Sequence, residues 1–157
     1  MNLNAHKMET KQSISSKLAN ITIATGLAII ITLINGAILN KVYPLWGYHI
    51  NNSTSSWEVL VSGLIFAPLL EEVMYRLVPF KILQNTQIFK ENTWWFVILS
   101  AIIFGYGHGS ILNIYIQGVA GFFFTWAYIK NGMSYWSAVA THFLYNFIYL
   151  VIFPTII

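Results

Sequence analysis

Long uncharged apolar runs alternate with short polar intervals along this chain. After a polar, lysine-bearing start, LANITIATGLAIIITLINGAIL lies uncharged between Lys17 and Lys41. That run is long enough to cross the roughly 30 Å hydrocarbon layer of a bilayer as one helix. The interval from Lys41 to Ser56 contains Pro44, Gly47 and NNSTSS, which is turn and surface chemistry. A second apolar run begins at Trp57 and passes through VLVSGLIFAPLL to PFKILQ, and Pro68 is expected to kink it. From Asn92 to Ile129 no Asp, Glu, Lys or Arg occurs. This is too long for one crossing and is broken by the glycines of FGYGHGS, so TWWFVILSAIIFGYGH and ILNIYIQGVAGFFFTWAYI are read as two helices. Lys130, Asn131 and Gly132 turn the chain into a last helix, SYWSAVATHFLYNFIYLVIF.

The pattern predicts an all-α fold, a multi-pass transmembrane bundle of about five helices. Composition agrees, because 157 residues with 57% hydrophobic and 8% charged side chains lie far from the balance of a soluble domain. Lys7, Lys11 and Lys17 precede the first helix, Arg76, Lys81 and Lys90 surround the second connection, and Lys130 lies in the fourth, with Lys41 alone on the other side. The positive-inside rule then places the N-terminus in the cytoplasm and, after five crossings, the C-terminus outside. Trp94 and Trp95 fit an interfacial aromatic belt. Residues 1–56 read as a cytoplasmic tail, a first helix and an external loop, and residues 57–157 as a four-helix core. The first helix is read as retained, since no clear processing site follows it. Basic residues at helix ends, without interleaved aromatics, argue against nucleic acid as a partner. The absence of cysteine excludes disulfides, a thiolate nucleophile and thiolate metal ligands.

Candidate chemistry begins in PLLEEVMYRL, residues 68–77, where Glu71, Glu72 and Arg76 interrupt an apolar run. A charge at the bilayer centre costs about 2.5 to 3.5 kcal/mol on insertion scales, so such residues must be paired, wetted or used. Glu72 and Arg76 are i and i+4 and read as a structural ion pair. Glu71 points about 100° away from Glu72 and has no partner in sequence, which favours catalysis or proton handling. At about 1.5 Å per residue, Glu71, His108, His142 and Asn146 lie between roughly 10 and 22 Å from the cytoplasmic ends of their helices, in one layer. His142 and Asn146 share a helical face at i and i+4. A lone membrane histidine is often only an interhelical donor, but two in one layer with Glu71 shift the reading towards a site, and that layer is the candidate. Asn113 and Gln117 read as helix-packing glue, and His6 and His49 as solvated bystanders. FGYGHGS lacks the lysine of a phosphate loop, and no strand precedes it.

Three short motifs occur in order: EEVMYR, FGYGH and HFLYN. They fit EExxxR, FxxxH and HxxxN, and with the glycine-containing GVAGFFFTWAYIKNGMSYWSAVATH between the last two they resemble the CPBP group of intramembrane proteases, the CAAX protease and bacteriocin-processing (Abi) family. The resemblance covers about residues 57–150 and leaves the first helix outside. It implies that Glu71 acts as general base on a water, assisted by His108, that His142 and Asn146 polarise the scissile carbonyl and stabilise its oxyanion, and that Glu72 and Arg76 support the site. Such donors act best where bulk water is excluded. Two chemistries stay open at this point: a metal-free glutamate mechanism, towards which the reading leans, and a zinc site in which Glu71, His108 and His142 are ligands and a water takes the fourth position. The implied partners are membrane lipid and a peptide or membrane-protein substrate. The chain looks more like a bacterial member, located in the cell membrane, for which peptide precursors or bacteriocin self-immunity are the family's usual assignments. Two other classes compete: a non-catalytic immunity or membrane-binding protein, and a small proton or ion carrier using the same ionisable residues.

Overall fold

The structure, a computed structural model, describes residues 12–42 and 56–152. Expectations for the N-terminal tail with His6, and for the loop with Pro44, Gly47 and His49, lie outside the described residues. Five helices form the bundle: α1 (Ile14–Val42), α2 (residues 56–83), α3 (Gln87–Tyr106), α4 (Gln117–Lys130) and α5 (residues 135–152). Among the described residues there is no strand. The all-α, five-helix expectation holds, and α1 and α3 are each long and apolar enough to cross a membrane.

The faces of α1 show how the bundle is built. Ile23, Leu27, Ile30, Ile34 and Ile38 are exposed, whereas Ala24, Thr25, Ala28 and Thr32 are buried. Large apolar side chains turned outward, with small residues at the contacts, are what lipid as a solvent selects. The small face of α1 packs on α4 and α5. Two polar ties fix it: the Tyr149 hydroxyl pairs with Thr32 at 2.6 Å, and Asn20 donates to Asn131 Oδ1 at 2.8 Å in the turn before α5. Helix α4 is central, with α1, α3 and α5 against it and Gly118, Ala120, Gly121, Phe124, Thr125, Ala127 and Tyr128 buried.

Helix α2 carries the acidic pair and is irregular on both sides of it. Two π turns, Ser62–Phe66 and Val73–Leu77, flank Ala67–Glu72. Each ends two residues before a proline, Pro68 or Pro79, and the break expected at Pro68 takes this form. The Ala67 N–H reaches back to Ser62 O and Pro68 has no N–H to give, so the Gly63 carbonyl loses both backbone donors it could have had. The Asn146 amide of α5 takes it at 2.7 Å. Pro79 likewise cannot donate to Tyr75 O four residues back, and the Ser100 hydroxyl of α3 does so at 3.0 Å. The Val73 N–H turns to Leu70 O, and Leu69 O accepts from the Tyr135 hydroxyl at 2.9 Å. In lipid every backbone polar group needs an internal partner, so α3 and α5 complete the hydrogen bonding of α2 and set its position. Tyr135→Phe is expected to lower stability by about 1 kcal/mol, read as an earlier thermal unfolding transition in detergent.

The connection between α3 and α4 departs from the expected pair of helices. Helix α3 stops at Tyr106, before His108, and Ile111–Tyr115 is a 3-10 turn. The glycines end the helix earlier than its apolar run does, and Gly109 adopts φ +91°, a conformation that side chains disfavour.

Candidate active site

Four elements deliver the site. Glu71 comes from the stretch between the π turns of α2, His108 from the segment just past α3, and His142 and Asn146 from successive turns of α5. Gln117, at the start of α4, lines the same cavity of about 110 Å³ with Glu71, His108, His142 and Asn146. The rest of the lining includes Ala67, Phe104, Phe124 and Tyr145, and the space is large enough for several waters.

The structure brings all four of the residues singled out in the sequence to this cavity. Glu71 Oε2 lies 4.0 Å from His108 Nε2 and 4.0 Å from His142 Nε2, and it carries no hydrogen bond. Both imidazoles are anchored through Nδ1. His108 Nδ1 meets the Phe104 carbonyl at 2.7 Å, and His142 Nδ1 meets Glu72 Oε1 at 2.8 Å. A carbonyl or carboxylate oxygen can only accept, so both Nδ1 atoms carry their protons, and Nε2 is the nitrogen left to gain or lose one. Phe124 stacks on the His142 ring at 4.4 Å, and Phe104 lies edge-on to it at 5.8 Å.

Glu72 does more than the ion pair read from sequence. Its Oε1 accepts from both Arg76 Nη1, at 3.1 Å, and His142 Nδ1. Arg76 in turn donates through Nε to Thr125 Oγ1 at 3.0 Å and through Nη2 to the Gly121 carbonyl at 2.8 Å. Thr125 Oγ1 donates to that same carbonyl. The side chains of Glu72 and Arg76 have no solvent exposure, so the pair is held by α4 and holds His142 at the cavity wall. Thr125, Ser100 and Tyr135 had no signal in sequence, because a hydroxyl in a membrane helix reads as packing until its distant acceptor is known. Asn113, read as packing between helices, instead donates to the His108 carbonyl within its own loop at 2.6 Å.

Zinc sits about 2.0 to 2.1 Å from imidazole nitrogen and carboxylate oxygen, so tetrahedral ligands lie roughly 3.3 Å apart. The 4.0 Å separations of Glu71 Oε2 from the two Nε2 atoms are too wide for that, and no group of three His, Asp or Glu among the described residues has metal-binding geometry. The same separations suit a water about 2.8 Å from each atom. The residues as arranged do not fit the metal.

A cluster of carboxylate, imidazole and amide groups lies between apolar helices, and the class is that of a helical membrane protein with a polar cavity inside its bundle. The chain belongs to the family described as type II CAAX prenyl endopeptidase Rce1-like, whose match spans residues 52–148 and which falls within the CPBP group. This family points to a membrane protease of the CAAX type. No curated protein matches the chain significantly, and neither does any solved structure.

Proposed function

We propose that this protein is an intramembrane endopeptidase in which Glu71 activates a water. The convergence of Glu71 Oε2 with two imidazoles whose Nδ1 protons are fixed is the observation that carries the reading. A water held by Glu71 and His108 gives a proton to the Glu71 carboxylate as its oxygen attacks the scissile carbonyl carbon. The carbonyl π pair moves to oxygen, and the resulting oxyanion is met by the Asn146 amide and by His142 Nε2, which donates when the ring holds a second proton besides the one that Nδ1 gives to Glu72. One Asn146 proton goes to Gly63 O, which fixes the amide and leaves the other for this task. Glu71 then passes its proton to the departing nitrogen as the C–N bond breaks. Preorganised donors in a water-poor site supply most of the acceleration such a step needs.

The substrate is a peptide anchored in the bilayer. An open groove of about 430 Å³ lies between α2 and α5, lined by apolar side chains including Leu64, Leu69, Val139 and Phe143, beside the seam that holds Glu71 and His142. In this reading the protein is a multi-pass chain of a bacterial cell membrane, with its N-terminus in the cytoplasm. Peptide precursors, including those of bacteriocins, are the expected substrate class.

The test is incubation of the purified protein in liposomes with membrane-anchored peptides in H₂18O. One 18O atom is expected in the new carboxylate of the product, with a rate unaffected by a strong chelator. Binding of the peptides without cleavage would favour a non-catalytic immunity or membrane-binding protein, and loss of cleavage on chelation would restore the metal.

A further inference from the structure

His108 lies past the end of α3, so the helix does not fix its backbone by continuing through it. Its N–H reaches Gly105 O at 3.2 Å. Its carbonyl, which a longer helix would satisfy, accepts from Asn113 Nδ2 at 2.6 Å. Asn113 is buried, and its Oδ1 has no hydrogen bond. The buried amide therefore makes one side-chain bond, to the residue that carries the imidazole. The segment bearing Asn113 is seated firmly. A Cβ on Gly105 would lie 2.6 Å from Ile114 Cα and 2.9 Å from Asn113 O, so the 3-10 turn rests directly on the last turn of α3. Leu112 N–H donates to Ser110 Oγ at the start of that turn.

We propose that Asn113 is a positioning residue that sets His108 over the cavity. The inference rests on the reading that His108 takes part in hydrolysis. The ring is held at Nδ1 by Phe104 O, and the backbone by its N–H bond to Gly105 O and by the bond of its carbonyl to Asn113. Loss of the Asn113 bond leaves the His108 carbonyl without a partner and lets the Gly107–Gly109 segment, still tied to Ile103, Gly105 and Tyr106 through its N–H groups, shift the ring. A displacement of about 1 Å at a reacting group can cost up to about 100-fold in rate.

The experiment uses the full chain in liposomes with Asn113→Ala and the near-isosteric Asn113→Asp, which removes the donor while keeping the shape. It pairs kinetics with the 15N spectrum of histidine-labelled protein. Both variants are expected to lower kcat by about 10- to 100-fold while KM stays within about twofold, and to shift the His108 ring signals while those of His142 stay put. In a His108→Ala background the same changes should cost less than about twofold more, because residues acting through one group are not additive. Wild-type kcat in both variants, or the full loss repeated in the His108→Ala background, would overturn the proposal. If the wild-type protein cleaves no peptide, the hydrolytic reading fails, and the spectrum alone decides: unmoved His108 signals overturn the positioning role, and shifted ones uphold it.

Discussion

Replacing Arg76 with leucine is expected to destabilise the fold by about 3 to 5 kcal/mol, the usual result of removing one partner from a buried ion pair. The guanidinium has no solvent exposure. It donates to Glu72, Thr125 and Gly121, and it lies 4.4 Å from the centre of the Phe104 ring. Without it the Glu72 carboxylate, equally buried, keeps His142 as its ionisable partner but loses the cation that offsets its charge. Thermal unfolding in detergent should show the loss directly. The double replacement Glu72→Leu with Arg76→Leu removes both charges and should recover most of the stability, since an apolar pair avoids the desolvation cost of two ions. It should nonetheless be inactive, because His142 Nδ1 then has no acceptor and its ring is free to turn. A single Arg76→Leu variant as stable as wild type would mean that the pair contributes nothing.

Glu71→Gln is expected to act in the opposite way, lowering kcat by about 10² to 10⁴-fold with little effect on unfolding. The side chain is 27% exposed, and its Oε2 holds no hydrogen bond that the amide would break. What the amide lacks is the ability to take a proton from water. In the proposed reaction the two adjacent glutamates are expected to separate, Glu72 acting on the fold and on His142, and Glu71 on the rate. Initial rates and unfolding midpoints measured on the same preparations distinguish the two effects.

Much of the fold and of the cavity's lining was legible in the sequence. The i,i+4 spacing of Glu72 and Arg76 gave their contact, and depth counting gave the layer shared by Glu71, His108, His142 and Asn146. The five helices followed from apolar runs and glycine breaks. The hidden part depended on distant partners. Pro68 and Pro79 announce that α2 cannot be regular, but where its freed carbonyls go is decided by Asn146, Ser100 and Tyr135, which lie 83, 25 and 66 residues away from their acceptors. Glu72 could not be seen to serve two donors, because His142 is 70 residues off. The glycines around His108 marked a break, yet not that the helix would end before the histidine and leave its carbonyl to Asn113.

In the proposed reaction Glu71 is the group that activates water. The most direct test of that role is the initial rate of peptide cleavage by purified protein in liposomes, wild type against Glu71→Gln, with both preparations folded to the same unfolding midpoint. The wild type is expected to cleave the peptide, and the variant to lose at least about 100-fold in rate. Cleavage by the Glu71→Gln variant at the wild-type rate would contradict that role.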